Sequence, residues 1–205
     1  MKKTFYTCYL KRFIDFNLAL LALIVLTPFF IIVIILQILF NGFPIFFTQK
    51  RVGKNEKVFK LIKFRTMTNT KNNAGELLPD NQRKTWFGSL LRATSIDELP
   101  SLINIINGDM AIIGPRPLLV DYLPLYSEQQ KKRHLIRPGL SGLAQIKGRN
   151  LLSWKQKFEY DIIYISNISF FLDVKLILIT ILNIIFLKPV DSSKTNTMDK
   201  FTGNV

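Results

Sequence analysis

Two adjacent carboxylates, Asp97 and Glu98, are the residues best placed by type and spacing to do chemistry. They sit in the run Arg92-Ala-Thr-Ser-Ile-Asp-Glu-Leu-Pro, just before apolar residues at helical spacing, Leu99, Leu102, Ile103 and Ile106. Ser95-x-x-Glu98 fits a capping box, in which both acids simply favour a helix start. The same helix end would lower the pKa of a carboxyl, keep it ionised as a nucleophile, and welcome a phosphate. Both readings are open on these residues alone. Cations stand near in the sequence. Arg92 precedes the pair, Arg116 is fixed between Pro115 and Pro117, and Lys63 and Arg65 alternate with Leu61, Ile62 and Phe64, so that both would project from one strand face. His134 is the only histidine, which excludes a His-based triad or a zinc cluster, and no P-loop or G-x-G-x-x-G run is present. The chemistry left is that of carboxylates, Lys, Arg and an oxygen-bound metal.

The elements that must carry these residues follow from composition. The 205-residue chain has 28 Lys and Arg against 14 Asp and Glu, a net charge of +14, yet 48% of it is apolar and its mean hydropathy is +0.21. Charge and apolarity are therefore segregated along the chain. Disorder is excluded for most of the length, and Cys8, the single cysteine, has no intramolecular partner and is expected as an unmodified thiol. Leu18 to Leu36 is uncharged over 19 residues, roughly 28 Å as a helix and close to a bilayer's hydrocarbon thickness. It fits a signal peptide poorly, being long and without an A-x-A-like site, so it is expected to stay in the mature protein. Lys2, Lys3, Lys11 and Arg12 precede it, and seven Lys/Arg against Glu56 lie between Lys50 and Arg65. Positive charge on both flanks, with Thr27-Pro28 at the midpoint, suits a broken helix that enters and leaves by one face. A spanning helix with a tolerated proline is the alternative. Thr27 is expected to satisfy a carbonyl freed by Pro28.

A second apolar stretch, Ile168 to Leu187, is interrupted by Asp173 and Lys175; its uninterrupted part, from Leu176, has 12 residues, too short to span, and Pro189 stops it. Between the two stretches, Pro44–Gln49 and Lys57–Thr66 read as strands, Thr70–Pro79 as a loop and Gln82–Arg92 as a helix. A helix closed by Asn107-Gly108, a strand over Met110–Ile113, a basic helix over Glu128–Ile136, a Gly-rich loop over Arg137–Asn150 and a helix over Trp154–Tyr164 complete the reading. The expected fold is α+β and mainly helical. Residues 1–42 form the basic N-terminus and membrane helix, 43–190 a small domain with an interfacial C-terminal helix, and 191–205 a polar tail.

The chain resembles the bacterial sugar transferases, the monotopic phosphoglycosyl transferases, and most nearly those that transfer diacetylbacillosamine phosphate to undecaprenyl phosphate. The likeness runs from Lys11-Arg12-Phe-Ile-Asp15 through FTQKRVG (47–53), KFRTM (63–67), SIDELP (95–100), NGDMAIIGPRPLLVDYLPLY (107–126), RPGLSGLAQIKGRN (137–150) and WKQKFEYD (154–161). The resemblance implies that the domain over 43–190 is catalytic, and that a re-entrant helix breaks at Thr27-Pro28, where serine is commoner than threonine. It implies that Asp97 attacks the β-phosphorus of a UDP-sugar, expels UMP and holds the phosphosugar, which undecaprenyl phosphate then takes. Glu98, with Asp97, would bind Mg²⁺, and Lys63, Arg92, Arg116 and Asp161 match positions associated with the site. The implied place is the cytoplasmic face of the bacterial inner membrane, among anionic membrane lipids, with downstream glycosyltransferases as partners and no nucleic acid. The rival reading is a non-enzymatic membrane adaptor whose basic face binds anionic lipid or nucleic acid. It leaves the Asp-Glu pair unexplained.

Overall fold

The computed structural model describes residues 4–148, 151–186 and 200–203. Arg149, Asn150, Leu187, Pro189 and the tail to residue 199 lie outside the described residues. The fold is α+β and mainly helical, as expected. One π-helical turn (Tyr6–Leu10) leads into α1 (Lys11–Asn41), which ends at Gly42, where a left-handed φ of 64° turns the chain away. Strands β1 (Phe46–Val52) and β2 (Val58–Phe64) form an antiparallel hairpin, from Phe46 opposite Phe64 to Val52 opposite Val58.

The predicted helix over Gln82–Arg92 is two helices, α2 (Asp80–Arg83) and α3 (Trp86–Ala93). Thr85 separates them, because its side chain accepts the Gly88 N–H and so caps a new helix. A 3₁₀ turn over Ile96–Ser101 precedes α4 (Leu102–Asn107), which Gly108 closes at φ 86°. Strand β3 (Ala111–Ile113) pairs in parallel with β4 (Gly139–Ser141), inside the segment expected to be a loop. Glycine is what permits that pairing: a Cβ on Gly139 would lie 2.1 Å from the Gly114 nitrogen. The predicted basic helix is α5 (Glu128–Lys131) followed by a 3₁₀ turn over Lys132–Leu135. Helix α6 (Leu143–Lys147), α7 (Trp154–Ser166) and α8 (Phe170–Ile185) complete the described chain.

Helix α1 is long and apolar enough to cross a membrane, yet only 11% of its most apolar window is buried in the protein. Its inner stripe is Ala19, Leu23, Leu26, Phe30, Val33 and Gln37, residues three and four apart. The first three pack with Phe59, Leu61, Leu102, Ile105 and Met110, and Phe30 and Val33 with Phe64, Phe87 and Leu91. Both halves of the helix thus rest on the same domain. The opposite side is bare, with Leu21, Ile24, Val25, Ile32, Ile35 and Leu39 all exposed.

Thr27-Pro28 does not interrupt the helix, which stays helical from Lys11 to Asn41. Nor does Thr27 serve the carbonyl that Pro28 orphans, that of Ile24. Its hydroxyl donates to Leu23 O at 2.8 Å, a bond back into the preceding turn of the kind that bends helices. Proline removes one donor from the ladder, and packing on both sides of it holds the rest together.

Asp173, which interrupts the second apolar stretch, is a buried anchor. It accepts from Tyr6 (2.5 Å), Lys11 (2.7 Å) and Tyr164 (2.6 Å), tying α8 and α7 to the start of α1. Before it α8 exposes Phe171, and beyond it Leu178, Leu182 and Ile185.

The tail is not purely an appendage. Phe201 is buried among Tyr122, Tyr126, Trp154 and Phe158, with ring centroids 5.1–5.7 Å away. Phe201→Ala is expected to cost about 3 kcal/mol of stability, measured by thermal unfolding, because the cavity is lined by rings that cannot collapse into it.

Candidate active site

The site forms where β2, the 3₁₀ turn and the segment after β3 meet. Helix α3 ends at Thr94, and Ser95 takes a left-handed conformation (φ 59°) that reverses the chain into the 3₁₀ turn. With that backbone Ser95 forms no side-chain cap, so the predicted capping box is absent and the two acids are left for other work. The turn is fastened to β2 by side chains. Ser101 donates to Ile62 O at 2.8 Å, while Asn104 accepts from Ile62 N at 3.0 Å and donates to Lys60 O at 2.8 Å. These bonds satisfy the strand edge that no third strand covers, and they fix Lys63 against Glu98.

Glu98 is the centre of the cation cluster. Lys63 Nζ and Arg116 Nη2 both donate to its Oε1, at 2.6 and 2.7 Å, and no protein donor among the described residues reaches Oε2. Burial alone would raise the Glu98 carboxyl, but Arg116 and Lys63 outweigh it and hold it well below the usual carboxylate range. Asp97 behaves oppositely. It is buried, accepts no hydrogen bond among the described residues, and has its pKa pushed up to about 6, first by burial, with Glu98 adding and Lys63, Arg92 and Arg116 opposing. The expectation that a helix end would depress this carboxyl is therefore corrected: desolvation outweighs the turn's dipole. Neighbouring carboxyls pushed this far apart are equipped for different roles.

Arg92 lies in the field of Asp97 and is held by Nε donation to Thr66 Oγ1 at 3.0 Å. Arg65 does not join Lys63: it turns to the end of α1 and donates to Asn41 O and, at 2.9 Å, to Gly42 O. Asp161 stands one step back from the cations. It pairs with buried Arg133 at 2.9 Å, and Arg133 donates to the Arg116 carbonyl at 2.7 Å. Its place is thus to hold the strand of contacts that fixes Arg116. Thr27 and Pro28 lie on α1, apart from this cluster.

A small open cleft faces the cluster, lined by Arg51, Lys63, Glu98 and Arg116 and by apolar Leu61 and Met110. Arg51, Arg133 and Asn104 were not singled out from sequence. Arg51 and Asn104 had a signal, a polar residue within an otherwise strand-like or apolar helical run. Arg133 had none, because it sits in a basic stretch that reads as a solvated face.

The expected metal fits this donor set in one form. Among the described residues no three His, Cys, Asp or Glu side chains gather. Asp97 and Glu98 offer carboxylate oxygens only, which suits Mg²⁺ completed by a diphosphate and water.

Fold and site define a class: a domain on a largely unburied apolar helix, whose cleft is lined by one ion-paired carboxylate among cations, with a second, buried carboxylate next to it in the chain, an arrangement suited to phosphoryl chemistry. The sequence model described as "Bacterial sugar transferase" matches residues 6–187, and the chain belongs to that family. It is 45% identical over 195 residues to an uncharacterized sugar transferase, EpsL, of Bacillus subtilis, covering 95% of this chain and 96% of that one. It is 34% identical to a UDP-glucose:undecaprenyl-phosphate glucose-1-phosphate transferase of Klebsiella pneumoniae, over 83% of this chain and 39% of the relative. It is 34% identical as well to a UDP-N-acetylgalactosamine-undecaprenyl-phosphate N-acetylgalactosaminephosphotransferase of Aeromonas hydrophila, over 86% of this chain and 44% of the relative. The chain spans less than half of those last two proteins.

Proposed function

We propose that the protein moves a sugar 1-phosphate from a UDP-sugar to undecaprenyl phosphate, the first membrane step in building a glycan. The observation that carries this reading is the pair itself: a buried, unbonded Asp97 beside an ion-paired Glu98, inside a cation cluster. In the first step an Asp97 carboxylate oxygen bonds to the β-phosphorus. The bond from that phosphorus to the bridging oxygen breaks, and UMP leaves with its electron pair. In the second, an undecaprenyl phosphate oxygen attacks the same phosphorus, releasing the Asp97 carboxylate and giving a lipid diphosphosugar. Lys63, Arg92 and Arg116 neutralise the diphosphate so that an anion can approach it, and Glu98 orients two of them. Mg²⁺, held by Glu98 with Asp97, would add charge neutralisation at the phosphates.

Names of relatives support a UDP-sugar donor and a polyprenyl acceptor. For the donor we carry forward an N-acetylated sugar such as UDP-N,N'-diacetylbacillosamine. The anchor lies at the cytoplasmic face of the inner membrane without crossing it. What supports this is that both halves of the unbroken α1 pack on one domain and its outer side is bare, and that α8 also exposes apolar residues.

UMP release is the test, measured with Mg²⁺ on UDP-diacetylbacillosamine, UDP-N-acetylgalactosamine and UDP-glucose, with and without undecaprenyl phosphate. Sustained release that needs the lipid supports the reading, and none from any donor by folded, membrane-reconstituted protein counts against it. Because Asp97 must be ionised to attack, kcat/KM for the donor is expected to climb about tenfold per pH unit below about 6 and level off above it. A profile flat from pH 5 to 8 contradicts that assignment.

A further inference from the structure

Arg51 lines the cleft together with Glu98, near the end of β1. Its position is fixed by the backbone: Val52 N donates to Leu118 O at 3.2 Å and Arg51 bridges to Leu119, so β1 is laced to the chain just after Arg116. Two guanidinium groups are thereby held over one cleft. They are unequally served. Arg116 has Glu98, whereas among the described residues Arg51 donates only to the neutral Gln49 Oε1, at 2.6 Å, and its buried Nε has no partner there. Burial, with Arg116 beside it, lowers the Arg51 pKa to about 10. The cleft lining thus sets three cations, Arg51, Lys63 and Arg116, against one carboxylate, Glu98. A cation kept half-buried without an ion-pair contact is costly, and such an arrangement suits a site that receives its anion as ligand.

The cations acting on Asp97 are Lys63, Arg92 and Arg116, while Arg51 acts with Arg116 and Glu98. Arg51 also lies opposite Phe59, four register positions along the hairpin from Lys63, which lies opposite Phe47, and Asp97 does not line the cleft, so Arg51 stands away from the nucleophile. The phosphate it meets is the one farther from the attacked phosphorus. We propose that Arg51 binds the nucleotide-side phosphate of the donor and stays with it as UMP departs. This rests on the reading given under Proposed function and names a residue for its leaving group. A guanidinium suits the task because its donors form a fixed fork that matches phosphate oxygens.

The test is thermal unfolding of the full chain in nanodiscs, titrated with UMP and, separately, with UDP, for wild type and Arg51→Gln. Wild type is expected to be stabilised by both ligands. Arg51→Gln is expected to melt at or above wild type without ligand, since a buried unpaired charge is removed, and to bind UMP at least tenfold more weakly. A variant that keeps the full UMP shift overturns the proposal and leaves the reaction standing. One that melts lower without ligand, or does not fold, assigns Arg51 a structural role and overturns it too. Wild-type protein stabilised by neither ligand overturns the reaction together with the proposal.

Discussion

Asp97→Asn is expected to abolish turnover, by at least about 10³-fold in UMP release, while leaving the protein folded. Asparagine keeps the size of the side chain but cannot form the bond to phosphorus. Its effect on stability runs the opposite way. A carboxyl whose folded pKa is raised to about 6 holds its proton more tightly when folded, so the folded state loses stability as pH rises from the unfolded value near 4 through about 6. At pH 7 the ionised Asp97 therefore costs the fold about 2–3 kcal/mol, and the neutral amide removes that cost. Thermal unfolding and UMP release on the same preparation check both halves. A membrane adaptor predicts that the substitution changes neither lipid binding nor any activity, and retained UMP release would exclude Asp97 as nucleophile.

Glu98→Gln is expected to lower activity by about 10²-fold or more and to destabilise the protein. The substitution leaves Lys63 and Arg116, which now share Oε1, without their counter-charge. Arg116 is half exposed and can rehydrate, whereas Lys63 is mostly buried, so the cost is about 1–3 kcal/mol rather than that of a sealed pair. Here the sign is the familiar one. The folded pKa is depressed, so the stabilisation is fully present above the unfolded value near 4.3 and is lost as pH falls toward the folded one. Neighbouring acids thus give opposite stability changes at pH 7 when neutralised, and equal changes would contradict the division of roles between them.

How much of this was legible in the sequence depended on how local the cause was. The two strands β1 and β2 and the Gly108 stop of α4 follow from neighbouring residues and were readable, though the pairing of the strands was not. Strand β4 was not. It forms because Gly114 and Gly139 let two distant backbones approach, and three glycines in a row of fourteen residues look like a loop until their partner is known. The acid pair and Arg116 were legible as residues, but their electrostatics were not. Asp97 has a raised pKa because of burial, which depends on how the turn packs against β2 through Ser101 and Asn104. Asp161 was singled out without its role, since its partner Arg133 is 28 residues earlier in a stretch that looks solvent-facing. Proline at the midpoint of α1 predicted a break, and the tertiary contacts of Phe30 and Val33 beyond it, with Ala19 and Leu23 before it, keep the helix continuous.

The most direct test of the central claim is the intact mass of the protein after brief incubation with UDP-sugar and Mg²⁺ in the absence of undecaprenyl phosphate. A covalent intermediate on Asp97 predicts a mass increase equal to one phosphosugar, less water, that disappears on adding undecaprenyl phosphate and is absent from Asp97→Asn. Lipid-dependent UMP release by a protein whose mass never changes would contradict it, and would mean that the lipid phosphate attacks the donor directly.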